Sequence, residues 1–337
     1  MTDILIVGDF LDDEDQRKGR PFSGTDGGLI RGLLSQSGIE DSAYKCITVF
    51  PSSPPSGRIE NWLTSDRAEG VPNFPPFAKG KYVHRDRAYA LSLFGETVRK
   101  AQPKVILALG NIPFWALTGK TGIDKNRGAP FFSREDNIPV IPTWAPSSIF
   151  KQWELRPITL MDFYKAKIIS QMKRFTRPAR VIRLLPTIAD LEDFYLSHIR
   201  TAPFIAVDIE TKNNQITEIG FATSPQVALV IPFYSRSMPD GNYWRSHYEE
   251  MQAWAFVRRV LEEKPSIGQN FQYDMTYLYA KYGIPVPKFS GDTMLLAHAL
   301  QPELKKSLGF LGSIYTFEPP WKFMRTDHTT LKKGDEE

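Results

Sequence analysis

Four short apolar runs set the architecture of the first half of this chain. They are ILIVGD at 4–9, YKCITVF at 44–50, KVILALG at 104–110 and IPVIPTW at 138–144. Each is nearly continuous rather than alternating, as strands buried on both faces require. Among them stand helix-spaced segments: GGLIRGLLSQSG, RDRAYALSLFGETVRKAQP closed by Pro103, NIPFWALTG, and WELRPITLMDFYKAKIISQMKRF with a kink expected near Pro157. Strand, turn and helix in repeating order predict a three-layer α/β/α unit with a parallel sheet over residues 1–176. Ligands of such sheets gather at the carboxyl ends of the strands.

The grammar changes after TRPARV at 176–181, which reads as a linker. LPTIADLEDFYLSHI is a helix with Thr187 as its N-cap, and FIAVDIET, TEIGFATS and VALVIPF are three consecutive strands. Helices follow in YEEMQAWAFVRRVLEEK, YDMTYLYAKYGI and DTMLLAHALQP. A strand meander followed by helices predicts a mixed-sheet α/β unit over residues 177–337.

The net charge of +4 is uneven: residues 1–178 hold 25 Lys and Arg against 19 Asp and Glu, the remainder 17 against 19. A basic first half suits a polyanion, and equally an ordinary solvated surface. The single cysteine, Cys46, excludes an internal disulfide and a four-thiolate iron–sulfur cluster built from this chain. No apolar run approaches the roughly 20 residues of a membrane helix, and no secretion leader opens the chain. A cytoplasmic setting without membrane contact is expected, the host cytoplasm if the source is viral.

The chemistry concentrates in carboxylates. FIAVDIET puts Asp208 and Glu210 two residues apart on a strand, so both point to one face. Two acids there repel each other and are costly to desolvate, and hard Mg²⁺ or Mn²⁺ is the usual remedy. In IGQNFQYDMTYL, Asn270 and Asp274 are four apart and share a face of a helix's first turn. Asp208 and Glu210 alone read as a salt-bridged edge strand, and Asp274 alone as a capping acid. Together, in this order, they predict a two-metal site acting on a phosphodiester.

AVDIET, NFQYD and DTMLLAHALQPELKKSLGFLGSIY resemble the proofreading 3′–5′ exonuclease domains of family A DNA polymerases, which have the DnaQ-like, RNase H-like fold. The resemblance implies that Asp208, Glu210 and Asp274 are the catalytic metal ligands and that Asn270 and Thr211 lie beside the substrate strand. Asp292 matches a position that is not a ligand and reads as a helix N-cap. The family also needs a carboxylate in a Tyr-x-x-x-Asp motif on a later helix. The only tyrosine after Asp292 is Tyr315, followed four residues on by Pro319. The expectation is that this motif, and a polymerase domain, lie beyond KKGDEE, in a longer or split gene product. Asp335 is a poorly held substitute.

The first unit carries a second resemblance. VGDFLDDEDQRKGRPFSGTDGGLI, PKVILALGNIPFWALTG and PTWAPSS are similar in order and spacing to uracil-DNA glycosylases of the family 4 and 5 type. In that family the first motif runs Gly-Glu-x-Pro-Gly into Gly-x-Pro-Phe-x-Gly, and the last runs His-Pro-Ser. The resemblance implies that Phe22 stacks on a flipped base and that Gly19, Gly24 and Thr25 let backbone amides approach phosphate. Asp9 takes the place of the first motif's acid, but Leu11 and Asp12 replace its Pro-Gly. Cys46 falls near the asparagine that reads the uracil edge. Ala145 stands where the histidine would, with Pro146 and Ser147 keeping the loop, and the family's cluster cysteines are absent. Two alternatives stay open: a domain that binds DNA or an altered base without excising uracil, or an active enzyme using Asp9 on a modified base.

The combination resembles the front end of a bacteriophage DNA polymerase. It implies two Mg²⁺ or Mn²⁺ ions, no iron–sulfur cluster, and DNA as partner, as a single-stranded 3′ end or as duplex. A downstream polymerase domain or a second polypeptide would complete it. The rival reading is a DNA-binding accessory protein with both centres inactive. Asp12 to Asp15 read as a solvated loop, and His84, His198, His247, His298 and His328 as structural or surface residues.

Overall fold

The computed structural model describes residues 3–319. Asp335, His328 and the closing acidic stretch lie outside the described residues. The chain forms two compact units. One runs up to Phe175 and takes in Gly309 onward; the other is Thr176–Leu308. The expected boundary after residue 176 thus falls beside the observed one, but most of the Leu308–Tyr315 helix packs with the first unit rather than the second.

In the first unit a five-stranded sheet runs in the order Tyr44–Phe50, Ile4–Phe10, Val105–Leu109, Pro139–Thr143, Phe131–Phe132. The four apolar runs supply the parallel strands; only the two-residue edge strand Phe131–Phe132 is antiparallel. Ile4 to Val7 and Val105 to Leu109 are almost wholly buried, as unalternated strands must be. The chain moves from Ile4–Phe10 to one side and then crosses to the other. A crevice therefore opens between the carboxyl ends of Ile4–Phe10 and Val105–Leu109. No kink occurs at Pro157: the helix begins at Leu155, so this proline falls in the first turn, where its missing N–H is not needed.

A buried ionic group braces this unit. Arg127 and Asp162, 1% and 0% exposed, form a bidentate pair, with Arg127 Nε 2.9 Å from Asp162 Oδ2. Thr143 Oγ1 donates to the same carboxylate at 2.6 Å. Arg127 Nη1 also donates to Ser313 Oγ at 2.9 Å. Lys165 Nζ donates to the carbonyls of Gly128, Ser313 and Thr316. Gly128 has φ +73°, and a Cβ there would lie 2.5 Å from Asp162 Oδ1, so only glycine fits.

The second unit is built on a six-stranded mixed sheet: Phe289–Asp292, Ser266–Gly268, Ile205–Lys212, Gln215–Ser224, Val227–Pro232, Val181–Arg183. The meander Ile205–Pro232 is antiparallel and the three short strands are parallel additions. Val181 to Arg183, partly assigned to the linker from sequence, is an edge strand. Ile205, Val207 and Ile209 pack into a core with Leu191, Phe194, Val257 and Phe271. Thr187 caps its helix with a full capping box, as expected.

Candidate functional site

Two corners gather the polar chemistry, one in each unit. In the first, Asp9 stands at the carboxyl end of Ile4–Phe10, beside the crevice. Gly110 follows the neighbouring strand with φ +106°, and a Cβ there would lie 3.2 Å from Asp9 Oδ1 and 3.3 Å from Ala145 Cβ. So Asp9, Gly110 and Ala145 meet at one point. Asp9 Oδ1 is shut off from solvent and has no hydrogen-bond partner among the described residues. Burial, and then the charge of Asp26, pushes the Asp9 carboxyl up to about 7. Asp26 is itself raised by burial and by Asp12 and Asp15. The corner is therefore acidic, and Asp26 is a member that the motifs did not single out.

Phe22 holds its ring over Gly8, one residue from Asp9: a Cβ on Gly8 would be 2.5 Å from Phe22 Cζ. Its backbone is left-handed, φ +57°, which few non-glycine residues adopt. Gly27 makes this turn possible, since a Cβ there would lie 1.7 Å from the Phe22 carbonyl oxygen. Pro146 is the first residue of a short helix and is buried, so it shapes the loop, while Ser147 beside it is exposed.

Three expectations for this corner are corrected. Residues Asp12 to Asp15 open a helix rather than a loop: Asp12 and Asp13 are exposed, as expected, but Asp12 caps the Asp13–Lys18 helix and Asp15, 4% exposed, accepts from Ser23 N at 2.7 Å. Gly19 does not offer its amide to phosphate, because that amide closes the same helix onto Asp15 and Gln16 carbonyls. At Gly24 the space is taken by a carboxylate, with Glu14 Oε2 2.7 Å from a Cβ built there; Thr25 next to it is exposed. Cys46 pairs across the sheet with Ile6, three residues before Asp9 along the strand. Three residues along a strand is about 10 Å, so the thiol lies well short of Asp9. Burial pushes it up to about 12, a weak donor in place of an amide.

In the second unit Asp208 and Glu210 alternate with buried Val207 and Ile209 and are both exposed on the other face of a central strand. Asp274 lies in the first turns of the Phe271–Tyr282 helix, 5% exposed, and its Oδ1 accepts from Ile209 N at 2.9 Å. That bond ties the helix to the strand residue between the two acids. Burial raises Asp274 to about 6 against the pull of the Ile209 amide, and the Asp208 charge adds to the rise. Asp292 caps two helices at once, accepting from Asn270 N, Phe271 N and Met294 N at 3.0, 2.7 and 2.8 Å. The sequence indicated only the second of these caps.

Asn270, with φ +54°, opens onto a groove of about 420 Å³ also lined by Tyr273, Tyr277 and Lys281. Thr211 Oγ1 lies 2.8 Å from Tyr273 Oη. Tyr273 was missed from sequence, although an aromatic immediately before a site acid was the available signal. Glu218 was missed as well. It pairs across the strands with Glu210, so the two carboxylates share a face, and Gly220 opposite Asp208 leaves that side open. Like charges so placed oppose each other and invite a cation. The carboxylate oxygens suit a hard divalent ion in chemistry and in face. Among the described residues no three His, Cys, Asp or Glu side chains are gathered into a ready-made metal site as they stand.

The family model of the uracil DNA glycosylase superfamily matches residues 1–170, half of the chain. A type-4 uracil-DNA glycosylase of Thermotoga maritima is 32% identical over 171 residues, covering 49% of this chain and 77% of that protein. The chain belongs to the uracil-DNA glycosylase superfamily. The model of the 3′-5′ exonuclease family matches residues 183–316. A crystal structure of the EXD2 exonuclease domain soaked in Mn and GMP aligns with TM-score 0.27 and 14% identity, over 36% of this chain and 61% of that one. Another, soaked in Mg, aligns with TM-score 0.27 and 13% identity over 46% and 75%. A glycosylase-superfamily domain is thus joined to an exonuclease-like domain, and both belong to DNA-processing proteins. At the Asp9 crevice Ala145 presents only a methyl side chain. Among the described residues no helix is long and apolar enough to cross a membrane.

Proposed function

We propose that the second unit trims DNA from its 3′ end by hydrolysing the terminal phosphodiester, and that the first holds DNA or an altered base without excising uracil. On this reading the chain is the front part of a bacteriophage DNA polymerase. The observation that carries it is the 2.9 Å bond from Ile209 N to Asp274 Oδ1, which joins the helix acid to the strand bearing Asp208 and Glu210. These three residues would hold the divalent ions. Bound there, such ions supply a more acidic water and neutralise charge on the leaving oxygen. The protein's own contribution is positional. Asp274 is fixed by the strand amide, Tyr273 is held by Thr211, and Asn270 borders the groove in which the terminal nucleotide would lie.

The test is a 5′-labelled single strand incubated with Mg²⁺ or Mn²⁺. Slow shortening from the 3′ end, stopped by EDTA and by Asp208→Ala, is the expected result. Degradation that survives Asp208→Ala would overturn it. A second reading, a DNA-binding protein with both centres inactive, is favoured by the absence of a three-ligand cluster among the described residues and by Ala145 beside Asp9. Oligonucleotide binding without turnover under any metal would select it.

A further inference from the structure

A cavity of about 600 Å³ opens in the first unit where the long 51–87 segment meets the carboxyl end of the Asn111–Thr118 helix. Its lining includes Arg67, Asn73, Phe74, Tyr82, Lys120 and Arg134, and among the described residues no aspartate or glutamate. Arg134 is braced for a ligand: Nη2 donates to the Asn73 carbonyl at 2.6 Å and the guanidinium lies 4.7 Å over the Phe74 ring. Asn73 takes a left-handed backbone, φ +63°, in making this contact. Phe74 is backed by Trp115, whose Nε1 donates to the Pro75 carbonyl at 3.0 Å, so the wall is anchored to the helix behind it. Among the described residues no carboxylate pairs with Arg67, Lys120 or Arg134, whereas Arg99 and Lys104 nearby in sequence each have one.

Three cations that line one cavity with no acid among its described lining repel one another, and an anion relieves them. The carboxyl end of the helix opposes this with only about half a negative charge, too little against three full positive ones. Guanidinium and ammonium groups lining a polar concavity suit phosphate, which a forked guanidinium can bind through two oxygens. The geometry points to a phosphate-binding site at Arg67, Lys120 and Arg134, separate from the Asp9 crevice. The Asn111–Thr118 helix starts at that crevice and ends at this cavity, and its eight residues put about 12 Å between the two. The separation makes sense of the acidic crevice. Phosphate is disfavoured where Asp9 and Asp26 lie close enough to act on each other's charge, and the backbone of a nucleic-acid strand is held here instead. That choice of ligand rests on the DNA-binding reading of the first unit; the same chemistry would take the phosphate of a free nucleotide.

The experiment compares the wild-type chain, Arg67→Gln/Lys120→Gln, and Lys100→Gln as a control cation that does not line the cavity. Arg67 and Lys120 are exposed, so the double variant leaves the fold intact, and Arg134 keeps its brace on Phe74. Binding of a fluorescein-labelled 20-nucleotide single strand is followed by anisotropy across a salt series, and binding of inorganic phosphate and dAMP by calorimetry. Loss of about two phosphate contacts lowers the slope of log K against log salt by ~1.4 for a single strand. That change, with about tenfold weaker binding and no effect of Lys100→Gln, supports the site and a nucleic-acid ligand. Unchanged strand binding with lost phosphate or dAMP binding supports the site and a free-nucleotide source. If the wild type binds no oligonucleotide yet binds phosphate through these residues, the DNA reading fails and the pocket stands. Identical behaviour of all three proteins toward every probe overturns the proposal.

Discussion

Asp274 Oδ1 and the amide of Ile209 are joined at 2.9 Å, and that bond ties a helix acid to the strand residue that stands between Asp208 and Glu210 in the chain. The geometry asks two things of Asp274, an acceptor for a buried N–H and a negative charge facing Asp208. Substitution separates them. Asp274→Ala orphans the Ile209 amide and should cost about 1–3 kcal/mol of stability, read by urea unfolding. Asp274→Asn keeps an oxygen on the amide and removes a charge that burial disfavours, so its stability at neutral pH should match or exceed wild type. Both should abolish 3′-end hydrolysis. Equal destabilisation by the two would show that the bond is not what holds this corner.

Asp9 gives the first unit a pH-dependent stability of unusual sign. Its carboxyl is raised to about 7, above the ordinary value of 3.8 that the unfolded chain would show. The folded state therefore binds the proton more tightly, and stability falls as pH rises from about 4 to about 7, then levels. A shift of this size corresponds to at most about 4 kcal/mol, with relaxation and water entry reducing it. Asp9→Asn keeps the shape and removes the titration. Its melting temperature should exceed that of wild type at pH 8, and the gap should close by pH 4. A constant gap between the two proteins over that range would count against a buried, unpartnered Asp9.

The contrast between these two acids shows what sequence could convey. Asp208 and Glu210 were legible because strand alternation fixes which face a side chain takes, and the four apolar runs were legible because buried strands need them. Glu218 was not, since its relation to Glu210 is a matter of register across a turn, which no local pattern states. Asp15 reads as solvated charge like its exposed neighbours Asp12 and Asp13, because burial of a short acid depends on a partner, here the Ser23 amide, eight residues away. The edge strands Val181–Arg183 and Ser266–Gly268, at three residues each, are too short for any period to show.

Arg127 and Asp162 lie 35 residues apart in the chain and are both fully buried. Removing one partner leaves a buried charge uncompensated, so Arg127→Met should destabilise the first unit by roughly 3–5 kcal/mol. Replacing both, Arg127→Met with Asp162→Leu, should recover much of that loss. Thermal unfolding of the three proteins supplies the comparison, and a double variant no better than the single one would mean that the pair is stabilising in itself.

Ala145 carries the last prediction. Its Cβ and Asp9 Oδ1 both come within 3.3 Å of the point where a Cβ on Gly110 would stand, so the residue faces the crevice and not the core. A methyl there gives no hydrogen bond to charge developing on a departing base. One preorganised donor of that kind contributes about 100–1,000-fold in rate. The wild-type chain should release no uracil from a uracil-containing oligonucleotide, scored by alkaline cleavage of the abasic product. Ala145→His restores an imidazole at the mouth of the crevice, and measurable release should follow if Phe22 and the Asp9 strand still form a base pocket. The Asp9→Asn change made on top of Ala145→His then distinguishes the roles. Loss of the restored activity would make Asp9 part of the chemistry, and its retention would make Asp9 a wall. Efficient uracil release by the unaltered protein would show instead that the crevice works without the histidine, through the carboxyl that burial holds near neutrality.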